Sequence, residues 1–200
     1  MSAINPHREN SAGFRLAVVV EGALGLAAVG LAKLFGVPLR EQFAATPAGL
    51  VTGALLGVAA TLPMLAVFWW MLDARWTPLV ELRRMVTQMV RELFPRASIV
   101  ELAIVAVLAG VSEELLFRGA LQTCVGQWTT PLVGLVVAGL VFGALHAVSR
   151  LYFVLATLIG VYLGWLLLRF EDLMVPIVAH GLYDFVALVY LTRKQDSEAS

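Results

Sequence analysis

The chain has 200 residues, of which 60% are hydrophobic and 14% are charged, and its formal net charge is zero. Its mean hydropathy of +0.86 lies far above that of ordinary water-soluble domains, so the composition indicates an integral membrane protein. We expect no nucleic acid partner, because phosphate binding needs clustered lysines and arginines and the sequence has no such cluster. The single cysteine, Cys124, excludes an internal disulfide.

Six apolar runs are long enough to form membrane helices, and we expect an all-α, polytopic helical bundle. The runs are continuously apolar rather than alternating, which favours helices over a β-barrel. No small-residue cleavage site follows the first run, so we expect a retained helix. The short break at Ser149-Arg150 leaves one long kinked segment as the alternative to two helices there. The runs cover residues 14–35, 48–72, 99–123, 131–148, 151–168 and 173–191.

Between the second and third runs, a stretch bracketed by Pro78 and Pro95 has the pattern of an amphipathic helix. Its apolar residues recur at helical spacing, with arginines and a glutamine between them. We expect this helix on the cytoplasmic membrane surface, and the alternative is packing against a partner or against the bundle itself. The predicted apolar positions are Leu82, Val86, Met89 and Leu93.

Lysines and arginines are distributed unequally between the two ends of the predicted helices. The positive-inside rule therefore places both termini in the cytoplasm, and the alanine- and leucine-rich composition favours a bacterial inner membrane. We divide the chain into residues 1–97 with two membrane helices, residues 98–192 with about four, and a polar tail, 193–200, that we expect to be disordered. On the predicted inner side are Arg8, Arg15, Arg75, Arg83, Arg84, Arg91, Arg96, Arg150, Arg193 and Lys194, and on the outer side are Lys33, Arg40 and Arg169.

Three short strings inside the apolar runs hold six ionisable side chains. Each such group costs roughly 2.5 to 3.5 kcal/mol on insertion into hydrocarbon, so their concentration indicates a functional site. Glu21, in the first run, is also expected to find a partner, on another helix. The strings are Glu113-Glu114-Leu115-Leu116-Phe117-Arg118, Phe142-Gly143-Ala144-Leu145-His146 and His180-Gly181-Leu182-Tyr183-Asp184.

The first string predicts one ion pair and one free carboxylate. Glu114 and Arg118 are four residues apart on nearly the same helix face and can pair, whereas Glu113 points about 100 degrees away from Glu114. Glu113 is therefore free to face a cavity, and a carboxylate in a pocket of low polarity suits a general base or acid. The alternative is a structural ion pair that fixes helix packing.

The two histidine strings supply imidazoles with neighbours that can orient them. Phe142 lies four residues before His146, so its ring is expected to cover the same helix face. Asp184 lies four residues after His180 and can accept a hydrogen bond from one ring nitrogen, which orients the other. Each string alone can serve helix packing. Together the three offer the groups needed for water activation and oxyanion stabilisation.

The predicted depth of His146 in the membrane disagrees with the predicted depths of Glu113 and His180. Glu113 and His180 lie at similar depths when each residue advances a helix by about 1.5 Å. By the same arithmetic, His146 lies roughly 10 Å too deep if its helix begins at Pro131. A tilt, a kink or a later helix start would be needed to bring it to the others.

In this order the strings resemble the E-E-x-x-x-R, F-x-x-x-H and H-x-x-x-N/D motifs of the CPBP family, also called the ABI family of glutamic intramembrane proteases. That family comprises CAAX prenyl-endopeptidase-like and bacteriocin-processing membrane proteins, and the similarity covers approximately residues 98–190. The resemblance implies an endopeptidase in which Glu113 and His146 activate a water for attack on a peptide carbonyl. It further implies that His180 and Asp184 hold the carbonyl oxygen and that no metal or other cofactor is required.

Asp184 stands where the eukaryotic-type CAAX endopeptidases carry asparagine. A carboxylate donates a hydrogen bond only when it is protonated, so orienting His180 is the more natural role for this residue. Structural support of the site is assigned to Glu114, Arg118 and Phe142. We expect a peptide or protein substrate that enters from the membrane or its interface, and the lipid bilayer as the environment.

Three other functions are compatible with these residues. A zinc-dependent membrane protease would use Glu113, His146 and His180 as ligands, since one carboxylate and two imidazoles are a known set. A proton-linked transporter would use the same buried charges, although the sequence lacks the inverted repeats or broken helix pairs typical of transporters. A non-catalytic immunity or scaffold protein would tolerate replacement of the strings.

Overall fold

The computed structural model describes residues 6–193, with side chains from residue 12 onward, and contains helices and turns but no strand in that part. The predicted all-α bundle is confirmed. Arg193 is the last described residue, so the predicted disorder of residues 194–200 lies outside the described residues, as do Lys194 and the side chain of Arg8. The helices are α1 (Pro6–Phe35), a 3-10 turn (Leu39–Gln42), α2 (Pro47–Asp73), α3 (Thr77–Leu93), α4 (Ile99–Glu114), a π-helical segment (Leu115–Gln122), α5 (Thr123–Trp128), α6 (Pro131–Leu145), α7 (Arg150–Phe170) and α8 (Met174–Arg193).

Four of these helices are long and apolar enough to cross a membrane, judged by length and composition alone. They are α1 over Ala12–Phe35, α2, α7 and α8. The predicted third span is helical throughout, because α4, the π segment and α5 follow one another without a break, and we call this unit the central rod. The predicted fourth span, α6, is a shorter apolar helix of 15 residues. That the central rod and α6 also cross the membrane, which would make six spans in total, stays a prediction.

Hydroxyl side chains fix where two important helices begin. At the start of α4, Ser98 accepts a hydrogen bond from the Glu101 backbone N–H at 3.2 Å, and the Glu101 carboxylate accepts one from the Ser98 N–H at 2.8 Å. At the start of α7, Ser149 Oγ accepts from the Tyr152 N–H at 3.1 Å. The break at Ser149-Arg150 is therefore a new helix start, and the alternative of one long kinked segment is wrong.

Glycines allow the helices of the core to approach closely. A Cβ on Gly110 of α4 would lie 2.9 Å from the Gly181 Cα of α8, so these two backbones are in direct contact. A Cβ on Gly139 of α6 would lie 3.2 Å from the Val161 nitrogen of α7, within an antiparallel hairpin. α1 packs on the central rod, and α2 packs on α8. Small residues at these contacts bring the three polar strings within reach of one another.

α3 confirms the predicted amphipathic helix and shows what its apolar face contacts. Leu79, Leu82 and Val90 are buried, and Val90 packs with Leu191 near the end of α8. Leu93, predicted on the apolar face, is instead 37% exposed. The helix thus packs against the bundle, and its position on the inner membrane surface stays a prediction.

Candidate active site

The three polar strings, from the central rod, the end of α6 and α8, meet in one cluster. Glu113 Oε2 lies 3.6 Å from His146 Nε2. Glu114 Oε1 lies 2.8 Å from His180 Nδ1, and Asp184 Oδ2 lies 3.4 Å from His180 Nε2. Residues far apart in the sequence are therefore neighbours in one site, as the motif order led us to expect.

One half of the cluster is a buried triad of Glu114, Arg118 and His180. Glu114 and Arg118 are 0% exposed, and the Arg118 guanidinium donates to Glu114 Oε1 at 2.9 Å and to the Gly160 carbonyl of α7 at 2.9 Å. His180 Nδ1 donates to the same Glu114 oxygen at 2.8 Å. The predicted pairing of Glu114 with Arg118 is present. Its link to His180 was missed, because spacing along one helix carries no information about contacts between helices.

Phe142 separates the buried triad from the second half of the cluster. Its ring centroid lies 4.5 Å from the Arg118 guanidinium carbon, a cation–π distance. The His146 ring stacks on Phe142 with centroids 4.3 Å apart and an interplanar angle of 26°. Phe117 contacts it edge-on at 5.1 Å. The predicted covering of one helix face by Phe142 and His146 is therefore a direct ring stack.

The second half is an open pair formed by Glu113 and His146. Their side chains are 10% and 31% exposed, so the imidazole borders an accessible space. His146 Nδ1 lies 2.8 Å from the Phe142 carbonyl, which can only accept, so Nδ1 carries the proton and Nε2 of the neutral ring is an acceptor. Glu113 Oε2 is buried and makes no hydrogen bond among the described residues. Two acceptors thus face each other and can share the two O–H groups of one water.

The expected discrepancy in the depth of His146 is not present. The central rod continues to Trp128, five residues beyond the predicted end at Thr123, before the chain turns into α6 at Pro131. Glu113 lies 15 residues before Trp128, and His146 lies 15 residues after Pro131. Both therefore lie equally far from the turn, and no later helix start is needed. The depth predicted from the sequence was wrong because the helix that contains Glu113 was predicted to end at Thr123, five residues too early.

His180 has carboxylates at both ring nitrogens. Glu114, at 2.8 Å from Nδ1, is closer than Asp184, at 3.4 Å from Nε2. Asp184 is also 30% exposed at its side chain, whereas Glu114 is fully buried. Glu114 thus shares the orienting role that the sequence assigned to Asp184 alone, and Asp184 lies on the accessible side of the ring.

Glu21 reaches the cluster from α1, which lies outside the three strings. Its Oε2 lies 2.6 Å from Ser112 Oγ, and Ser112 immediately precedes Glu113. Glu21 is also within electrostatic range of His180 and Asp184. Its partner is on another helix, as expected. The N-terminal part of the chain therefore contributes directly to the surroundings of the site.

The zinc alternative would require His180 to change its contacts. Both ring nitrogens of His180 face carboxylates, so this ring cannot offer a lone pair to a metal beside Glu113 and His146 without giving up one of those contacts. Among the described residues, no three histidine, cysteine, aspartate or glutamate side chains form a set that could hold a metal ion. The independence of the site from a cofactor stays a prediction.

The π-helical segment begins directly after Glu114 and includes Arg118. Side chains bond two of its carbonyls: Thr123 Oγ1 donates to the Arg118 oxygen at 3.1 Å, and Gln42 Nε2 donates to the Gly119 oxygen at 2.9 Å. π-helical turns are rare and frequently occur at functional sites. The local sequence did not indicate this winding, because apart from Gly119 its residues are compatible with an ordinary α-helix.

Comparisons with known proteins match the segment of the chain that contains this cluster. Residues 95–186 match the family model described as type II CAAX prenyl endopeptidase Rce1-like. The "Uncharacterized protein YpbD" of Bacillus subtilis (strain 168) is 36% identical over 99 residues, which cover 48% of this chain and 48% of that protein. The chain thus spans about half the length of this curated relative. No solved structure matches.

The matched segment contains all three polar strings and most of α8. Together with four helices apolar enough to cross a bilayer, it indicates a membrane protein. Residues 95–186, just under half of the chain, therefore resemble the Rce1-like family, in agreement with the CPBP family that the three motifs resemble.

Proposed function

We propose that the protein is an intramembrane endopeptidase of the glutamic type, in which Glu113 and His146 activate a water to hydrolyse a peptide bond. The observation that carries this proposal is the open pair, in which Glu113 Oε2 and His146 Nε2 lie 3.6 Å apart and both are acceptors. A water between them donates one O–H to each and keeps a lone pair for attack. The family match over residues 95–186 supports the same reaction class.

In the first step the water oxygen bonds to the carbonyl carbon, and the carbonyl π electrons move to its oxygen. Glu113 takes the proton that the water loses, while His146 accepts the second hydrogen bond and directs the lone pair. In the second step the carbon–nitrogen bond breaks, and the proton held by Glu113 passes to the leaving nitrogen. The products are a carboxyl terminus and an amino terminus, and Glu113 returns to its starting state.

His180 is placed to stabilise the charge that develops on the carbonyl oxygen. Its Nδ1 is held by Glu114, which directs Nε2 toward the accessible side where Asp184 lies. An N–H that is already oriented gains most from charge developing in the transition state. Because Nδ1–H is directed at Glu114, an N–H at Nε2 as well requires the doubly protonated imidazolium, which the Asp184 carboxylate 3.4 Å from Nε2 stabilises.

The substrate is a peptide or protein that enters from the bilayer or its interface. The exposed sides of His146 and Asp184 mark where it would approach the site. The alanine- and leucine-rich composition favours a bacterial inner membrane, and the distribution of lysines and arginines favours a cytoplasmic position for both termini.

The test is cleavage of a fluorogenic peptide library by the protein in proteoliposomes. Glu113→Gln and His146→Ala should each lower the rate by about 10² to 10⁴-fold, the usual contribution of a general base or acid. Glu92→Gln, at an exposed glutamate of α3, is the matched control and should cleave like the wild type.

Each proteoliposome sample is also assayed with a metal chelator, which should leave the wild-type rate unchanged. Inhibition by the chelator would replace the proposal with a zinc-dependent protease. If the wild type cleaves no peptide, the transporter and scaffold functions become the better explanations.

A further inference from the structure

The oxyanion in the proposed reaction needs hydrogen-bond donors, and His180 and Asp184 offer few. The Asp184 carboxylate only accepts when ionised, and His180 has one N–H on the accessible side. Oxyanion sites usually combine backbone and side-chain donors around the developing charge. A further donor must therefore come from a side chain with a free O–H or N–H on an element next to Asp184. This inference rests on the proposed endopeptidase function.

Tyr152 lies on the face of α7 that is turned toward the site. Tyr152, Ala156 and Gly160 are spaced four residues apart, so they share one side of the helix. The Gly160 carbonyl accepts a hydrogen bond from Arg118 at 2.9 Å, and Ala156 packs in the cluster that contains Phe142. Tyr152 is the next position on that face, one turn nearer to the α6–α7 turn that holds His146.

The position of Tyr152 is fixed by its backbone and leaves its hydroxyl available. Its N–H is held by Ser149 Oγ at 3.1 Å in the first turn of α7. Its side chain is partly buried, and among the described residues its hydroxyl makes no hydrogen bond. It is within electrostatic range of both Asp184 and Glu113, which border the place where the carbonyl must bind.

Tyr183 is the other tyrosine beside Asp184, but it is less suited to the reaction. Its ring packs against the cluster around Met64 and contacts Phe68 edge-on at 6.1 Å, so it points toward α2. It is also the chain neighbour of Asp184, which places its side chain about 100 degrees away on α8.

We propose that Tyr152 is a catalytic residue that donates its phenolic O–H to the carbonyl oxygen of the scissile bond as the oxyanion forms. It acts together with the Nε2–H of His180, and both donors contact the same oxygen. The proton stays on the tyrosine throughout, so the step adds no proton transfer to the reaction. The phenol of Tyr152 thus supplies the hydrogen-bond donor that the ionised Asp184 carboxylate lacks.

Tyr152→Phe in proteoliposomes is the direct test. Loss of one oxyanion donor lowers kcat by about 10² to 10³-fold, and KM should change little because the ring remains. Tyr162→Phe is the matched control on the same helix, since its hydroxyl donates to the Ala60 carbonyl at 2.9 Å, away from the site. It should leave kcat near the wild-type value.

A second test introduces the missing donor at position 184. Asn carries an amide N–H₂, so Asp184→Asn should raise kcat of the Tyr152→Phe variant by about tenfold or more, as expected for a donor restored to the oxyanion. A purely structural Tyr152 would not be rescued in this way. If Asp184→Asn changed kcat by the same factor in the wild type and in the Tyr152→Phe variant, the proposal would be overturned.

The two proposals fail in different ways. If Glu113→Gln keeps its activity, the endopeptidase mechanism itself is wrong. If Glu113→Gln is inactive while Tyr152→Phe keeps kcat within about threefold of the wild type, well short of the loss of an oxyanion donor, only the role of Tyr152 is wrong.

Discussion

Glu113 and Glu114 are chain neighbours, but their side chains have opposite surroundings. Glu114 is 0% exposed and has Arg118 and His180 on one of its oxygens. Glu113 Oε2 makes no hydrogen bond among the described residues, and its ion-pair distance is to the more exposed His146, 3.6 Å away. One helical step of about 100 degrees therefore separates a carboxylate bound to a cation from one that borders an accessible space.

The difference shows how a membrane protein can hold several charges in a small volume. In the buried triad the charges neutralise one another, and breaking such a group leaves an uncompensated buried ion. In the open pair, two acceptors are left without a donor, an arrangement that suits substrate or water rather than stability. The first group is expected to determine folding and the second to determine reaction rate.

The largest effect on stability is expected from Arg118→Ala. It removes the cation from the buried triad and should lower the free energy of unfolding by about 3–5 kcal/mol. Unfolding in detergent micelles, followed by circular dichroism, measures the change. Arg84→Ala, at an exposed position on α3, is the control and should have little effect. If Arg118→Ala were as stable as this control, the triad would not be a folding element.

A smaller effect is expected where the triad depends on a close helix contact. Gly110→Ala places a methyl group against the Gly181 backbone and should lower stability by about 1–3 kcal/mol. Gly30→Ala is the control, because a Cβ there would meet nothing within 4 Å. Equal stability of the two variants would show that α4 and α8 can separate freely.

The smallest effect on stability is expected from Glu113→Gln. The substituted amide keeps the volume and removes a carboxylate that has no cation partner in the described structure, so the free energy of unfolding should change by less than about 1 kcal/mol. The same preparation should be inactive in the cleavage assay. A loss of stability comparable to that of Arg118→Ala would remove the distinction between the two glutamates.

Patterns within one helix predicted much of this structure. The all-α bundle, the amphipathic α3 and the pairing of Glu114 with Arg118 follow from hydrophobic runs and from four-residue spacing, which depend only on helix geometry. The motif order also led to the expectation that Glu113, His146 and His180 meet. The roles of these residues in catalysis stay predictions, as does the sidedness of the membrane.

Contacts between helices could not be predicted in the same way. The Glu114–His180 hydrogen bond depends on the approach of Gly110 to Gly181, and glycine alone does not reveal which helix it faces. The length of the central rod was misjudged because Thr123 to Trp128 is polar enough to resemble the end of a span. Tyr152 was overlooked because it belongs to no string, and only the face it shares with Gly160 brings it to the site.

The π-helical segment has a consequence for how the two ends of the central rod are oriented. Before it, Gly110 and Ser112 set the rotation of the helix against α8 and α1, and at its last residue, Gln122 donates to the Gly164 carbonyl of α7 at 3.0 Å. The wider turns of the π-helical segment change the rotation of the central rod, so that both sets of contacts can form, those with α8 and α1 and that with α7. Removing one residue from 115–122 would shorten the rod little, but it would turn one end against the other by about 100 degrees, so that only one end could keep its neighbours.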